Sequence, residues 1–178
     1  MTSTDLEHIR RLLRDQLAIA WALLEHHLQN VTDEDLMWPP APLNWTMHRN
    51  SNGWEPDWAD TEPLPTPVPT VAWLTWHLGW WWTTATAHLN RSVIPQRKEI
   101  SWPGTATGTV EWLTRIHADY HTTLLQQQDL GANSAFPWAG EADRTLADMA
   151  AWVNIELMKN AAEIGQLLIL RRAKEHHA

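Results

Sequence analysis

Apolar residues recur every three or four positions in four separate stretches of the chain, which predicts four amphipathic helices. These stretches cover residues 4–30, 70–90, 109–128 and 144–173. Thr32, followed by three acidic residues, predicts in addition one capped helical turn over residues 32–37. We find no stretch with the period of a convincing strand, so we expect an all-α fold in which the four long helices form a bundle.

The segment between the first two predicted helices, residues 38–69, has little periodicity and holds eight of the eleven prolines. Proline removes the backbone donors that helices and inner strands need, so we expect a long loop. Its tryptophans provide apolar surface to bury, which favours an ordered loop over a disordered one. They are Trp38, Trp45, Trp54 and Trp58.

Length and charge limit the classes of function. A chain of 178 residues fits a single domain over residues 1–178. Its net charge of -8, with scattered lysines and arginines, lacks the basic surface that nucleic acid requires. The absence of cysteine excludes disulfides, thiolate ligands and a cysteine nucleophile. Because the start lacks the pattern of a signal peptide and no stretch is typical of a membrane span, we expect a cytoplasmic protein without membrane contact.

His77 is the first candidate for chemistry, because it stands in the apolar stripe of the second predicted helix. On the last predicted helix, Glu156, Asn160 and Glu163 follow at spacings of four and three, on one flank. These carboxylates and His77 would form a site for a divalent metal such as zinc, nickel or manganese if they meet across the core. The alternatives are that the carboxylates face water, or that the set is a closed hydrogen-bond network that fixes helix register.

Two further groups of rings need an explanation. Four tryptophans of the second predicted helix cover nearly every direction around it, namely Trp76, Trp80, Trp81 and Trp82. Either the tryptophan-rich loop folds over them, or they form the interface of a homodimer. On the third predicted helix, His117 and His121 lie four residues apart, and we expect one to face inward and the other outward.

Three stretches of the sequence resemble the DinB-like superfamily, in particular its actinobacterial branch. They are Leu43-Asn44-Trp45, the segment 67–82 reading PVPTVAWLTWHLGWWW, and the segment 145–171 reading TLADMAAWVNIELMKNAAEIGQLLILR. The resemblance extends over nearly the whole chain. It implies a four-helix bundle that often dimerises and that commonly binds a divalent metal through one histidine of helix two and two histidines of helix four. Some members of the superfamily are transferases or isomerases that use low-molecular-weight thiols.

The resemblance also exposes a departure from the family pattern. His77 takes the position of the helix-two ligand, while Lys159 and Glu163 take the positions of the two helix-four histidines. A lysine ammonium has no lone pair to donate and repels a cation, so the usual set of three histidines is broken. Either Asn160 and Glu156 rebuild a site with His77 and Glu163, or the metal has been lost and a polar pocket remains.

The leading hypothesis is a transferase that binds a small molecule in the core of the bundle, with a low-molecular-weight thiol as a candidate cosubstrate. Its metal ligands would be His77, Glu163 and Asn160, and its general base would be Glu156. The competing hypothesis is a metal-free, non-enzymatic protein of the same fold that binds a ligand or forms a dimer.

Overall fold

Five helices account for most of the residues that the structure, a computed structural model, describes, namely 3–138 and 143–175. They are α1 (Ser3–Leu28), α2 (Asp33–Met37), α3 (Val71–Leu89), α4 (Ala106–Gln126) and α5 (Leu146–Glu175). The four predicted long helices are all present, and their ends differ from the predicted ones by at most three residues. The predominantly helical class is therefore confirmed.

Threonine side chains cap the first turn of four helices, α2 to α5. In α2 the predicted cap is a full capping box. Thr32 Oγ1 accepts from the backbone N–H of Asp35 at 3.1 Å, and Asp35 Oδ2 accepts from the backbone N–H of Thr32 at 2.9 Å. In α4, Thr105 Oγ1 accepts from the N–H of Gly108 at 3.2 Å. This cap starts α4 three residues before the predicted start, because the apolar period becomes visible only from Val110.

The long helices pack so that each contacts two others. Helix α1 lies against α4 and α5, and α3 lies against the same two helices from the other side. The apolar core fills the space between them, and its largest fully buried side chains include Leu17, Leu24, Trp76, Trp82, Leu113 and Tyr120. Among the helices of the described ranges, none has an apolar run sufficient to cross a bilayer.

Residues 38–69 contain four short strands, so the expectation of a fold without strands was wrong for this segment. These are β1 (Asn44–Trp45), β2 (Met47–Asn50), β3 (Gly53–Pro56) and β4 (Val68–Pro69). Strands β2 and β3 form an antiparallel hairpin, and β1 pairs with β4 in parallel. Strands of two to four residues are too short to show the period-two pattern by which strands are recognised, and two of them contain proline.

Helix α2 is joined to the end of α5 by ion pairs of Arg171. The guanidinium lies 3.0 Å from both Asp35 Oδ1 and Glu34 Oε2. Its Nε donates to Glu175 on its own helix, also at 3.0 Å. Because the side chain of Arg171 is only 12% exposed, these charges are screened less than those of an ordinary surface pair. The short helix is thus fixed against the body of the protein.

We expect Gly79→Ala to lower the free energy of unfolding by about 1–3 kcal/mol, because the added methyl would overlap a packed ring. A Cβ at Gly79 would lie 1.8 Å from an atom of the Trp112 ring, which is buried between α3 and α4. Chemical denaturation measures the effect. The matched control is Gly165→Ala, where the new Cβ would meet the far end of the partly exposed His27 side chain rather than a buried ring. Equal stability losses in the two variants would contradict this account of the α3–α4 contact.

Candidate functional site

His77 lies in the middle of α3, where it is surrounded by indole rings. Its side chain is buried, with only 8% of the residue exposed. The ring of Trp73 stacks on the imidazole with a centroid distance of 4.7 Å, and that of Trp80 stacks at 5.7 Å. The predicted position of His77 inside an apolar face is therefore confirmed, although its neighbours are aromatic rather than aliphatic.

Both ring nitrogens of His77 have a polar neighbour within the chain. Trp81, one turn further along α3, donates its indole N–H to His77 Nε2 at 3.0 Å. From α5, the side-chain amide of Asn160 reaches the other nitrogen, with 3.2 Å between its Nδ2 and His77 Nδ1. The structure thus brings together His77 and Asn160, two of the three residues predicted as ligands.

The donor and acceptor roles at His77 follow from the chemistry of its neighbours. An indole N–H only donates, so His77 Nε2 must be the unprotonated nitrogen that accepts. In a neutral imidazole the proton then resides on Nδ1, which needs an acceptor. The Asn160 Oδ1 atom is buried without a hydrogen-bond partner among the described residues. We therefore expect the amide to present this oxygen to the Nδ1–H, because that orientation satisfies both atoms.

Burial keeps the imidazole of His77 neutral. Loss of solvation, helped by the positive charge of Lys159, lowers its pKa to about 3, although the hydrogen bond with Asn160 acts in the opposite direction. A neutral ring is able to accept a hydrogen bond or to bind a metal. It is a poor general acid at neutral pH, because its protonated form is scarcely populated.

The carboxylates of α5 associate with Lys159. Glu156 is 9% exposed, and its Oε2 lies 3.0 Å from Lys159 Nζ. This is an ion pair outside hydrogen-bond geometry. Glu163 is half-buried, and burial raises its pKa, with the charge of Glu156 adding to the shift and that of Lys159 opposing it. Lys159 is therefore the ion-pair partner of Glu156 and opposes the rise in the pKa of Glu163.

A divalent metal fits these residues poorly. Zinc sites in proteins have at least three protein donors, and their histidines are not occupied by other donors. Here His77 Nε2 already accepts the Trp81 N–H, and the ammonium of Lys159 is close enough to lower the pKa of the ring. Within residues 3–138 and 143–175, no group of three or more histidines and carboxylates is arranged to hold a metal. The assignment of ligand and base roles to His77, Asn160, Glu163 and Glu156 stays a prediction.

The tryptophan-rich segment covers α3, as one of the two interpretations of its exposed indoles predicted. Trp58 packs against Trp73, Trp76 and Trp80, with ring centroids 5.7–6.4 Å apart. Trp45 stacks on Trp73 at 5.1 Å. The indoles of α3 therefore find most of their cover within one chain.

The two histidines of α4 differ from expectation. Both are half-buried, so the predicted division into one inward and one outward ring was wrong. His117 stacks on Trp21 of α1 at a centroid distance of 4.1 Å, and His121 stacks on His117 at 6.1 Å. Burial, with a smaller contribution from His121, lowers the pKa of His117 to about 4. The aromatic partner on α1 explains why His117 does not turn fully inward.

Two residues of the site escaped the sequence analysis. Trp81 was assigned to the apolar cluster, although its spacing of four from His77 on one helix face allows a direct contact. Lys159 was seen as a departure from the family pattern, but its spacing of three from Glu156 also marks an ion pair along the helix. Both partners were therefore recognisable from helical spacing alone.

Comparison with known proteins identifies one family. The sequence model of the DinB superfamily matches residues 16–164, which extend from the first helix into the last and include every residue of the candidate site. No curated protein and no solved structure shows a significant match to the chain.

We expect His77 to make the folded protein less stable as the pH falls from about 6.5 towards about 3. The folded state resists protonation of this ring while the unfolded chain accepts it at a normal pKa, so acid favours unfolding. Between pH 7 and pH 5 the wild type should lose about 2 kcal/mol more unfolding free energy than His77→Gln, which cannot titrate. Denaturation at the two pH values measures this difference. The variant His8→Gln, at an exposed histidine, provides the matched control, and a His77→Gln profile parallel to that of the wild type would contradict the expectation.

Proposed function

The chain belongs to the DinB superfamily, and from this premise we propose that it is a metal-free protein with a four-helix bundle that binds a small molecule. The proposal rests on the hydrogen bonding of His77, because one of its ring nitrogens faces the indole N–H of Trp81 and the other faces the amide of Asn160. His77 stands at the position of the family's helix-two metal ligand, but here its ring is engaged in hydrogen bonds within the protein.

Energetics support a metal-free site. To ligate a metal through Nε2, His77 would have to release the Trp81 N–H, and a buried donor left without a partner costs about 1–3 kcal/mol. The metal would also stand near the ammonium of Lys159, and like charges repel strongly where water is excluded. Lys159 already provides the positive charge that the carboxylate of Glu156 requires. These terms together oppose a bound cation.

The small-molecule part of the proposal rests on open space beside the covered helix. A cleft of about 510 Å³ lies next to Trp58 and Trp76. Its volume is typical of sites that hold a small organic ligand.

A metal-dependent transferase is the second candidate, and one observation favours it. The imidazole of His77 is neutral, and Glu156 Oε2 is a buried acceptor without a hydrogen-bond partner in the described chain. In this proposal His77, Glu163 and Asn160 would hold the metal, which would act as a Lewis acid on a substrate or a low-molecular-weight thiol. Glu156, which forms an ion pair with Lys159, would be the general base.

Elemental analysis distinguishes the two candidates. We expect protein purified without an affinity tag to contain well under one zinc, nickel or manganese per chain. The double variant Lys159→His with Glu163→His recreates the family pattern and should gain up to one metal, because it replaces a repelling cation with imidazole donors. About one metal per wild-type chain that disappears in His77→Ala, with the helical circular dichroism unchanged, would overturn the metal-free proposal.

We further propose that the predicted homodimer forms through α1 and α5 rather than through α3. The indoles of α3 are largely covered within the chain, whereas Ile19 and Ile155 are 66% and 58% exposed and line one shallow groove with Met158. Contiguous apolar surface of this kind marks protein contacts. Sedimentation equilibrium should give twice the chain mass of 20.5 kDa for the wild type and the single mass for Ile19→Glu. A wild-type protein of 20.5 kDa at high concentration would contradict the dimer.

A further inference from the structure

The imidazole of His77 is enclosed, so a small molecule that binds beside it needs a way in. Only 8% of the residue is exposed, and the rings of Trp73 and Trp80 stack on it. Two sides of α3 are covered by the long helices α4 and α5. The tryptophan-rich segment, residues 38–69, has strands of only two to four residues. Because local opening requires the loss of few contacts, this segment is the part of the cover that opens most easily.

Trp58 is the most exposed tryptophan of this segment, with 39% of its surface accessible. Its ring packs edge-on against Trp76 and Trp80 at centroid distances of 6.1 and 5.7 Å, and it stacks on Trp73 at 6.4 Å. Trp58 therefore supports from outside the two rings that stack on His77. Of these two, Trp80 is half-buried and would gain freedom to turn outward if Trp58 moved away.

Asp57, directly before Trp58, is fixed on both sides. Its carboxylate accepts the backbone N–H of Thr46 at 2.8 Å, and its own N–H donates to the carbonyl of Thr46 at 2.9 Å. Its carbonyl accepts the indole N–H of Trp73 on α3 at 2.8 Å. A movement of Trp58 would therefore pivot directly after Asp57, which stays anchored.

Arg97 holds Trp58 from the outside. This residue comes from the short 3-10 turn Arg97–Glu99, which lies in the connection between α3 and α4. Its guanidinium lies over the ring of Trp58, 3.9 Å from the centroid, and donates to Asp60 at 3.1 Å. Because Asp60 is 90% exposed, both contacts lie at the surface and are weak. They favour the closed position without making it permanent.

Open space lies beside Trp58, into which its ring is able to turn. The cleft of about 510 Å³ is lined by Trp58, Trp76 and Arg97, among other residues. A space that holds a small organic molecule also accepts an indole ring. Loss of the Arg97 contacts would therefore release Trp58 towards this cleft and away from Trp80.

We propose that Trp58 is a gate to the His77 site and that Arg97 is the latch that keeps the gate closed. This proposal rests on the proposed small-molecule function, because it supplies the entrance which an enclosed site needs. It does not depend on whether the site holds a metal.

Chemical modification of His77 in the full chain tests the gate without a ligand. Diethyl pyrocarbonate transfers an ethoxycarbonyl group to a neutral imidazole, so the rate at which His77 is modified reports its access to solvent. Peptide mass mapping measures this rate. We expect Arg97→Gln to raise it about fivefold, since the variant loses a cation–π contact and a surface ion pair. The exposed His8 should react at the same rate in both proteins.

Two further variants separate the latch from a general effect of charge. Arg97→Lys keeps a positive charge over the ring and should return most of the slow rate. Arg115→Gln removes an equal charge from an exposed position of α4 and should behave as the wild type.

Hydrogen exchange at the indole N–H of Trp73, which is bonded to the anchored Asp57, should be unchanged in Arg97→Gln. An unchanged His77 rate in Arg97→Gln, or an equal increase in Arg115→Gln, would overturn the proposal. A joint increase of His77 modification and Trp73 exchange would also overturn it, because it would indicate general loosening. None of these results alters the metal content of the protein, so failure of the gate and failure of the metal-free proposal can be told apart.

Discussion

Helix α3 is apolar on nearly every side, and the rest of the structure follows from the need to cover it. Most of its 19 residues are buried, including three of the four tryptophans at positions 76, 80, 81 and 82. A helix of this kind is stable in water only if other elements surround it. Helices α4 and α5 cover two sides. Trp45 and Trp58 cover much of the rest, which explains why a segment with eight prolines adopts a defined path.

The same cover determines the chemistry of His77. Once indoles enclose the imidazole, water no longer satisfies its nitrogens, and the partners must come from the enclosing side chains. Trp81 and Asn160 take that role. Charged groups remain further out, where Lys159 is half exposed and pairs with Glu156. The site therefore consists of a neutral inner set and a charged outer pair.

Sequence reasoning located the helices and the buried histidine because both depend on a repeating pattern along one chain segment. The contact of His77 with Asn160 could also be predicted from the sequence, because each residue lies on the inward side of its own helix. The short strands β1 to β4 could not be found, because two to four residues show no period. Nor could the sequence decide between loop cover and dimerisation for the tryptophans of α3. Both bury the same indoles, and only the three-dimensional path of residues 38–69 distinguishes them.

The tryptophans that cover α3 serve the His77 site and the cleft at the same time. Trp76 belongs to the wall of the cleft, and its ring lies 6.5 Å from that of His77. Trp58 contacts Trp73, which in turn stacks on His77. Removing any of these indoles would loosen the cover of α3 as a whole, so a loss of binding in such a variant would not identify a ligand contact. Lys159 is half exposed and pairs with Glu156, so its substitution leaves the aromatic packing intact. It is therefore a change that can separate the chemistry of the His77 site from the packing that holds the helix in place.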